Sequence, residues 1–133
     1  MSVPVKVIDL FCGCGGFSEG ARQAGAVVSI GVDNDPDALE IHALNHPHVT
    51  HICTTLPAII PAVERGVRSG AHLHASPSCQ KLSQANRMVT EDQASDAAAV
   101  VEWYLDTVAR LRPLTWSFEQ VSTPATMPMR MIR

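Results

Sequence analysis

Two residues stand out for covalent chemistry by type and setting. Cys79 lies in Ser76-Pro77-Ser78-Cys79-Gln80, a polar stretch holding a proline, where a thiol is poorly placed for packing. A thiolate there is a nucleophile, given an activating environment, although no base stands beside it in sequence. On its own, Cys79 divides evenly between nucleophile and small packed side chain. Glu119 ends the apolar run Trp116-Ser117-Phe118 and offers a carboxylate that can hold or pass a proton. The bland reading of Glu119 is a solvated charge at a strand end. A second pair suits a nucleotide. The glycines of Cys12-Gly13-Cys14-Gly15-Gly16 permit positive φ and let main-chain amides approach a ligand. Asp33 follows roughly 20 residues later, where a ribose hydroxyl pair is held in nucleotide-binding folds. The loop is not G-x-G-x-x-G and no G-x-x-x-x-G-K-[ST] occurs, so NAD and ATP fit less well.

These residues need elements to hold them. Val5 to Phe11 is a nearly continuous apolar run rich in β-branched residues, as a buried parallel strand requires. A short helix is expected over Ser18 to Ala24, stopped by Gly25. Val27 to Val32 reads as a second strand, followed by Asp35 as an N-cap and Pro36 at the first position of a helix reaching about Asn45. Val49 to Cys53 reads as a third strand, and Leu56 to Arg68 as a helix interrupted near its start by Pro61. Ala71 to Ala75 makes a fourth strand, and Ser78 to Asp92 a long polar loop. Ala97, Val100, Val101, Tyr104, Val108 and Leu111 share one helical face. Leu114 to Phe118 is a fifth strand. Strands alternating with helices predict an α/β fold: a Rossmann-like, doubly wound, mostly parallel sheet. In such sheets ligands sit beyond the carboxyl ends of the strands, and all four candidate segments follow a strand.

Composition bounds the rest. The 133 residues, 46% of them hydrophobic, suit one domain over 1–121, with 122–133 as an unordered tail or truncation point. No apolar run approaches the roughly 20 residues that cross a bilayer, and the start lacks a secretory pattern. The four cysteines read as reduced cytosolic thiols. The net charge of −3, with basic residues scattered apart from Arg65/Arg68 and Arg110/Arg112, places any strong grip on a phosphate backbone elsewhere. His42, His46, His48 and His51 crowd one region, but no cysteine or carboxylate completes a tetrahedral set, so no metal is expected. At least one of Trp103 and Tyr104 is expected in the core.

Taken together the segments resemble the cytosine-5 DNA methyltransferase family. Asp9-Leu10-Phe11-Cys12-Gly13-Cys14-Gly15-Gly16-Phe17-Ser18 is similar to its first motif, and Val32-Asp33-Asn34-Asp35-Pro36-Asp37-Ala38 with Asn45-His46-Pro47 to its second. Ala75 to Ser83 resembles the catalytic G-G-P-P-C-Q-x-F-S segment, and Phe118-Glu119-Gln120-Val121 the E-N-V motif. The resemblance implies S-adenosylmethionine as cofactor, held by Phe11, Cys12, Gly13, Cys14, Gly15, Gly16 and Pro77, with Asp33 on the ribose and Asn34 near the adenine. It implies Cys79 attacking C6 of a flipped cytosine in DNA, and Glu119 holding the N3 side of the base. Gln80, Ser83 and Arg87 would lie near the phosphates, on a flap running from Lys81 to Asp92. It also implies no membrane partner and a cytoplasmic location in a bacterium, archaeon or phage, or a nuclear one in a eukaryote.

The departures carry expectations of their own. Gly-Gly-Pro-Pro becomes Ala75-Ser76-Pro77-Ser78, the asparagine of E-N-V becomes Gln120, and no acidic residue appears around Cys53-Thr54-Thr55 to meet the adenine amino group. The family's arginine motif, target recognition region and returning final helix are not found after Val121. An exposed sheet edge follows from that. This chain alone is expected to be inactive or nearly so, as a truncated product, a fragment of a longer reading frame, or one half of a split enzyme whose separate chain carries recognition. The rivals are methylation of cytosine in RNA and an inactive binding or regulatory fragment.

Overall fold

A computed structural model describes residues 2–55, 60–77 and 91–120, the side chains of 60 and 91–97 excepted. Among them five strands alternate with four helices. The order is β1 (Lys6–Leu10), α1 (Gly16–Gln23), β2 (Val27–Asp33), α2 (Pro36–Asn45), β3 (Thr50–Cys53), α3 (Ile60–Arg68), β4 (His72–Ala75), α4 (Glu91–Leu111) and β5 (Trp116–Phe118). The sheet order is β3-β2-β1-β4-β5, and every pairing is parallel. The chain therefore winds outward from β1 to β3, returns, and winds the other way through β4 to β5. The reversal falls between β1 and β4, which makes the crevice beyond their carboxyl ends the natural ligand position.

Each face of the sheet has its own cover. Ile8, Leu10, Val32, Leu73 and Ala75 point to one side, where Val63 of α3 and Tyr104 and Val108 of α4 close over them. On the other side Val7, Val28 and Val49 meet Phe17 and Ala21 of α1. Burial of both faces is why the strands carry apolar runs rather than alternation. Tyr104 is fully buried, and its hydroxyl lies 3.0 Å from the carbonyl oxygens of Leu73 and Ser117, pinning α4 across β4 and β5. Burial lifts its pKa well above the usual phenol range, so it stays a donor.

The ends of the elements follow local chemistry. Asp35 accepts the amides of Asp37 and Ala38 through its side chain, and Pro36 opens α2, which runs to Asn45. The helix α4 starts at Glu91 rather than Ala97, so the polar loop expected through Asp92 ends earlier. The first six residues, Glu91 to Asp96, show no apolar face, and periodicity is blind to a helical turn without one. Likewise α1 starts at Gly16, two residues before Ser18. The start of the helix expected from Leu56, most of the loop from Ser78, and the tail 122–133 lie outside the described residues.

Candidate cofactor and active site

The turn after β1 is tied to β2 from below. Cys12 donates its amide to the Val32 carbonyl at 2.9 Å, and Gly13 donates to Oδ2 of Asp33 at 2.9 Å. Oδ1 of Asp33 accepts the amide of Asp35, also at 2.9 Å. One carboxylate thus ties the glycine turn to the start of the α2 cap. Gly13 and Gly15 sit at φ 52° and 103°, values that favour glycine, and α1 follows directly. Phe11 adopts φ 58°, a left-handed conformation that a bulky residue accepts only under tertiary constraint. That backbone turn sets its ring at a cavity of about 250 Å³ lined by Phe11, Val32, Asp33, Asn34, Thr54, Thr55 and Val100.

The cavity fits an adenosine-bearing cofactor on its own features. An aromatic ring and two valines offer apolar walls, Asp33 offers a carboxylate, and the glycine turn offers close approach of the main chain. Sequence reasoning had singled out Phe11, Asp33 and Asn34. It did not include Thr54, Thr55 and Val100 in the binding set. The two threonines follow β3, whose last residue Cys53 pairs with Asp33 at the end of β2, so the carboxyl-end rule would have found them. Val100 was read only as part of the packing face of α4. Cys12 is buried, its sulfur close under Gly31, and burial with the negative charges of Asp9 and Asp33 pushes its pKa up to about 12. Its side chain is a packed thiol, so only its backbone is available to a ligand. Cys14 is exposed, Gly15 is buried and Gly16 is exposed.

On the other side of the reversal, Ala75 pairs with Phe118 in the β4–β5 register. The next residues continue the ladder: Ser76 donates its amide to Leu10, and Glu119 donates to Ala75 at 3.0 Å. Pro77 is buried and Glu119 is exposed. The described residues therefore carry the chain from β4 to Pro77, beside the strand end that leads into Glu119. Cys79, Gln80, Ser83 and Arg87 themselves lie outside the described residues.

Beneath the glycine turn lies a polar cluster that sequence reasoning had not assembled. Asp9, fully buried on β1, accepts from the Ser18 hydroxyl through Oδ2 at 2.7 Å, while its Oδ1 has no partner among the described residues. The His42 ring lies 3.0 Å from Ser18 Oγ through Nε2 and 2.7 Å from Nε2 of His51 through Nδ1. The nitrogens of His42 and His51 face each other, which commits them to hydrogen bonding rather than to a shared cation. His74, opposite Asp9 on β4, stacks on Phe17 with ring centroids 3.4 Å apart. No single motif marks this cluster, because its members come from β1, α1, α2, β3 and β4.

Burial sets the protonation of these groups. It holds His42 and His74 down at about 4, and pushes Asp9 up to about 6 against the opposing pull of Ser18. The two histidines contribute stability above the ordinary imidazole range, and it is lost as pH falls from there through about 4. Asp9 acts in the opposite sense, since the folded chain takes its proton first, and recovers part of that loss as pH falls through about 6. Two groups outweigh one, so acidification destabilises the fold, by about 1.4 kcal/mol per pH unit for each net proton. Urea titrations at neutral and mildly acidic pH check this: a midpoint that stays level or rises on acidification contradicts it.

A parallel sheet reversing at β1 and β4, with a glycine turn, a strand-end carboxylate and an aromatic-walled cavity at its carboxyl edge, defines a doubly wound fold of the nucleotide-binding class. Comparison with known proteins narrows the class. The profile of the C-5 cytosine-specific DNA methylases matches residues 5–123, and the chain belongs to that family. It is 32% identical over 122 residues to the type II methyltransferase M.AgeI of Thalassovita gelatinovora, covering 88% of this chain and 28% of that protein. It is 28% identical over 130 residues to the DNA (cytosine-5)-methyltransferase PliMCI of Paracentrotus lividus, covering 88% of this chain and 8% of that protein. A crystal structure described as a prophage-encoded DNA modification methyltransferase (E. coli) superposes with TM-score 0.66 at 26% identity, over 92% of this chain and 33% of that one. The S. pombe Dnmt2 methyltransferase shares the fold, with TM-score 0.56 at 21% identity over 90% of this chain and 35% of that one. The chain thus spans less than a third of the length of those two curated relatives. Among the described residues no helix is long and apolar enough to cross a membrane.

Proposed function

We propose that this chain is the cofactor-binding and nucleophile-bearing part of a DNA cytosine-5 methyltransferase. The observation that carries the reading is the adjacency of β1, β2, β4 and β5 carboxyl ends, with the Asp33-tied glycine turn and the Phe11 cavity on one side and the Pro77 and Glu119 segment on the other. Phe11, Asp33 and Asn34 hold the adenosine part of S-adenosylmethionine, and the backbone of residues 12–16, with Pro77, holds the rest. When bound, that cofactor supplies an electrophilic methyl group. C5 of cytosine is too weak a nucleophile to take it unaided. Cys79 adds to C6 as a thiolate, and Glu119 holds the N3 side, where protonation stabilises the charge that attack develops. The addition loads electron density on C5, and loss of the C5 proton afterwards lets the thiolate leave. The base reaches Cys79 only out of the helix stack, at a cost of a few kcal/mol. Gln80, Ser83 and Arg87 meet the phosphates.

A net charge of −3 and a span below a third of those relatives favour a recognition region supplied by other residues or by a separate chain. The test uses labelled cofactor and an oligonucleotide with 5-fluorocytosine, whose C5 substituent cannot leave as a proton. A gel-stable adduct is expected with DNA. An adduct with RNA alone moves the substrate to RNA, and no adduct with either rules out catalysis by this chain on its own.

A further inference from the structure

We propose that Asp9, Ser18, His42 and His51 form a proton-conducting hydrogen-bonded chain that couples a buried carboxylate to the seating of the glycine turn, with His42 as a positioning residue for cofactor binding. The second half of this rests on the cofactor reading above; the first half does not.

The geometry makes the chain continuous. Asp9 Oδ2 to Ser18 Oγ spans 2.7 Å, Ser18 Oγ to His42 Nε2 spans 3.0 Å, and His42 Nδ1 to His51 Nε2 spans 2.7 Å. Asp9, Ser18 and His42 are fully buried, while His51 on β3 is partly exposed and meets solvent. A hydroxyl has one hydrogen and a neutral imidazole one N–H, so the direction of each bond is set by its neighbour. With Asp9 ionised, Ser18 donates to Asp9, His42 donates to Ser18 from Nε2, and His51 donates to His42 from Nε2. With Asp9 protonated, every bond reverses: Asp9 donates to Ser18, Ser18 to His42 Nε2, and His42 donates from Nδ1 to His51. His51 has then passed its Nε2 hydrogen to His42 and carries the incoming proton on Nδ1. One proton enters from solvent at His51, one arrives on the carboxylate, and each intervening group passes one on. The backbone of Val49 favours a proton on the His51 ring, against burial.

The same His42 ring supports the turn. A Cβ placed on Gly15 would meet His42 Cδ2 at 3.1 Å, and one on Gly31 would meet His42 Cε1 at 3.4 Å. The ring therefore lies in contact distance under both the turn after β1 and the middle of β2. Ser18 sits in the first turn of the helix that the loop opens. A reversal of the chain changes which ring nitrogen carries hydrogen directly beneath the turn. The other titratable groups around it are Asp33 at the end of β2, Cys12 and Cys14 in the turn, Glu19 on α1, His46 on α2 and His74 opposite Asp9 on β4. Since burial pushes Asp9 up to about 6 and His42 down to about 4, the carboxylate takes its proton on acidification while the His42 ring stays neutral.

Ring nitrogen spectra of the labelled protein between about pH 8 and pH 5 test the chain directly. His42 is expected to pass from the Nε2–H to the Nδ1–H tautomer, and Ser18→Ala is expected to uncouple that change from Asp9. A single His42 tautomer throughout, or an unaltered change in Ser18→Ala, overturns the chain. Calorimetry with S-adenosylmethionine tests the positioning role. His42→Leu is expected to weaken affinity about three- to tenfold, the equivalent of one buried hydrogen bond. His42→Gln, which still donates to Ser18, is expected to restore affinity while losing its pH dependence. Equal affinity in His42→Leu overturns the positioning role. Failure of the unaltered protein to bind S-adenosylmethionine at any pH overturns the cofactor reading and that role together, and leaves the chain to be decided by the ring spectra.

Discussion

Cys79→Ser is expected to remove the 5-fluorocytosine adduct completely while leaving S-adenosylmethionine affinity within about twofold of the unaltered chain. A serine hydroxyl is not appreciably ionised near neutrality, so the proposed addition to C6 is expected to fail and turnover to fall by at least about a thousandfold. Cofactor affinity is expected to be spared because all the proposed cofactor contacts except Pro77 come from the turn after β1, the end of β2 and the Phe11 cavity. The split between the two readouts makes the result specific. An adduct that survives in the serine variant assigns the nucleophile to another thiol. Loss of both adduct and cofactor affinity instead marks Cys79 as a structural residue.

Asp33→Ala has the second large effect, and on the opposite readout. Its two carboxylate oxygens accept the Gly13 and Asp35 amides at 2.9 Å each, so alanine releases the glycine turn and the approach to α2 at once. Hydrogen bonds to a charged acceptor contribute roughly 1.5–3 kcal/mol each, discounted here because the site is partly open to solvent. Cofactor affinity is expected to fall about a hundredfold, near 3 kcal/mol, once loss of the proposed ribose contact is included. Asp33→Asn keeps one acceptor oxygen and loses the charge, so an intermediate loss is expected. Calorimetric titration of both variants decides it: an alanine variant within threefold of the unaltered protein removes Asp33 from the cofactor site.

How far such effects were legible in the residues differs by element. The α2 boundary was readable because capping is local: Asp35 accepts amides two and three residues on, and Pro36 needs no donor at the first helical position. The strands were readable because burial on both faces demands unbroken apolar runs. The start of α4 was not, because Glu91 to Asp96 carry no apolar face and are held helical by continuity with the packed turns beyond. The Phe11 conformation was not either. A left-handed φ at a phenylalanine is imposed by packing of the turn against β2, and nothing in the letter code announces it.

The order and types of residues were enough to determine a doubly wound α/β chain, the glycine turn with an acid about one βα unit later, and the cysteine and glutamate segments after two further strands. Those signals are local or periodic, and each is written within a few neighbouring residues. Only the tertiary structure decided that β1 and β4 adjoin, which brings the ends of strands far apart in sequence to one edge. It alone added Val100 to the cavity and joined Asp9, Ser18, His42 and His51 into one hydrogen-bonded line. Contacts of that kind depend on sheet register and helix placement, quantities summed over the whole chain rather than encoded in any one stretch of it.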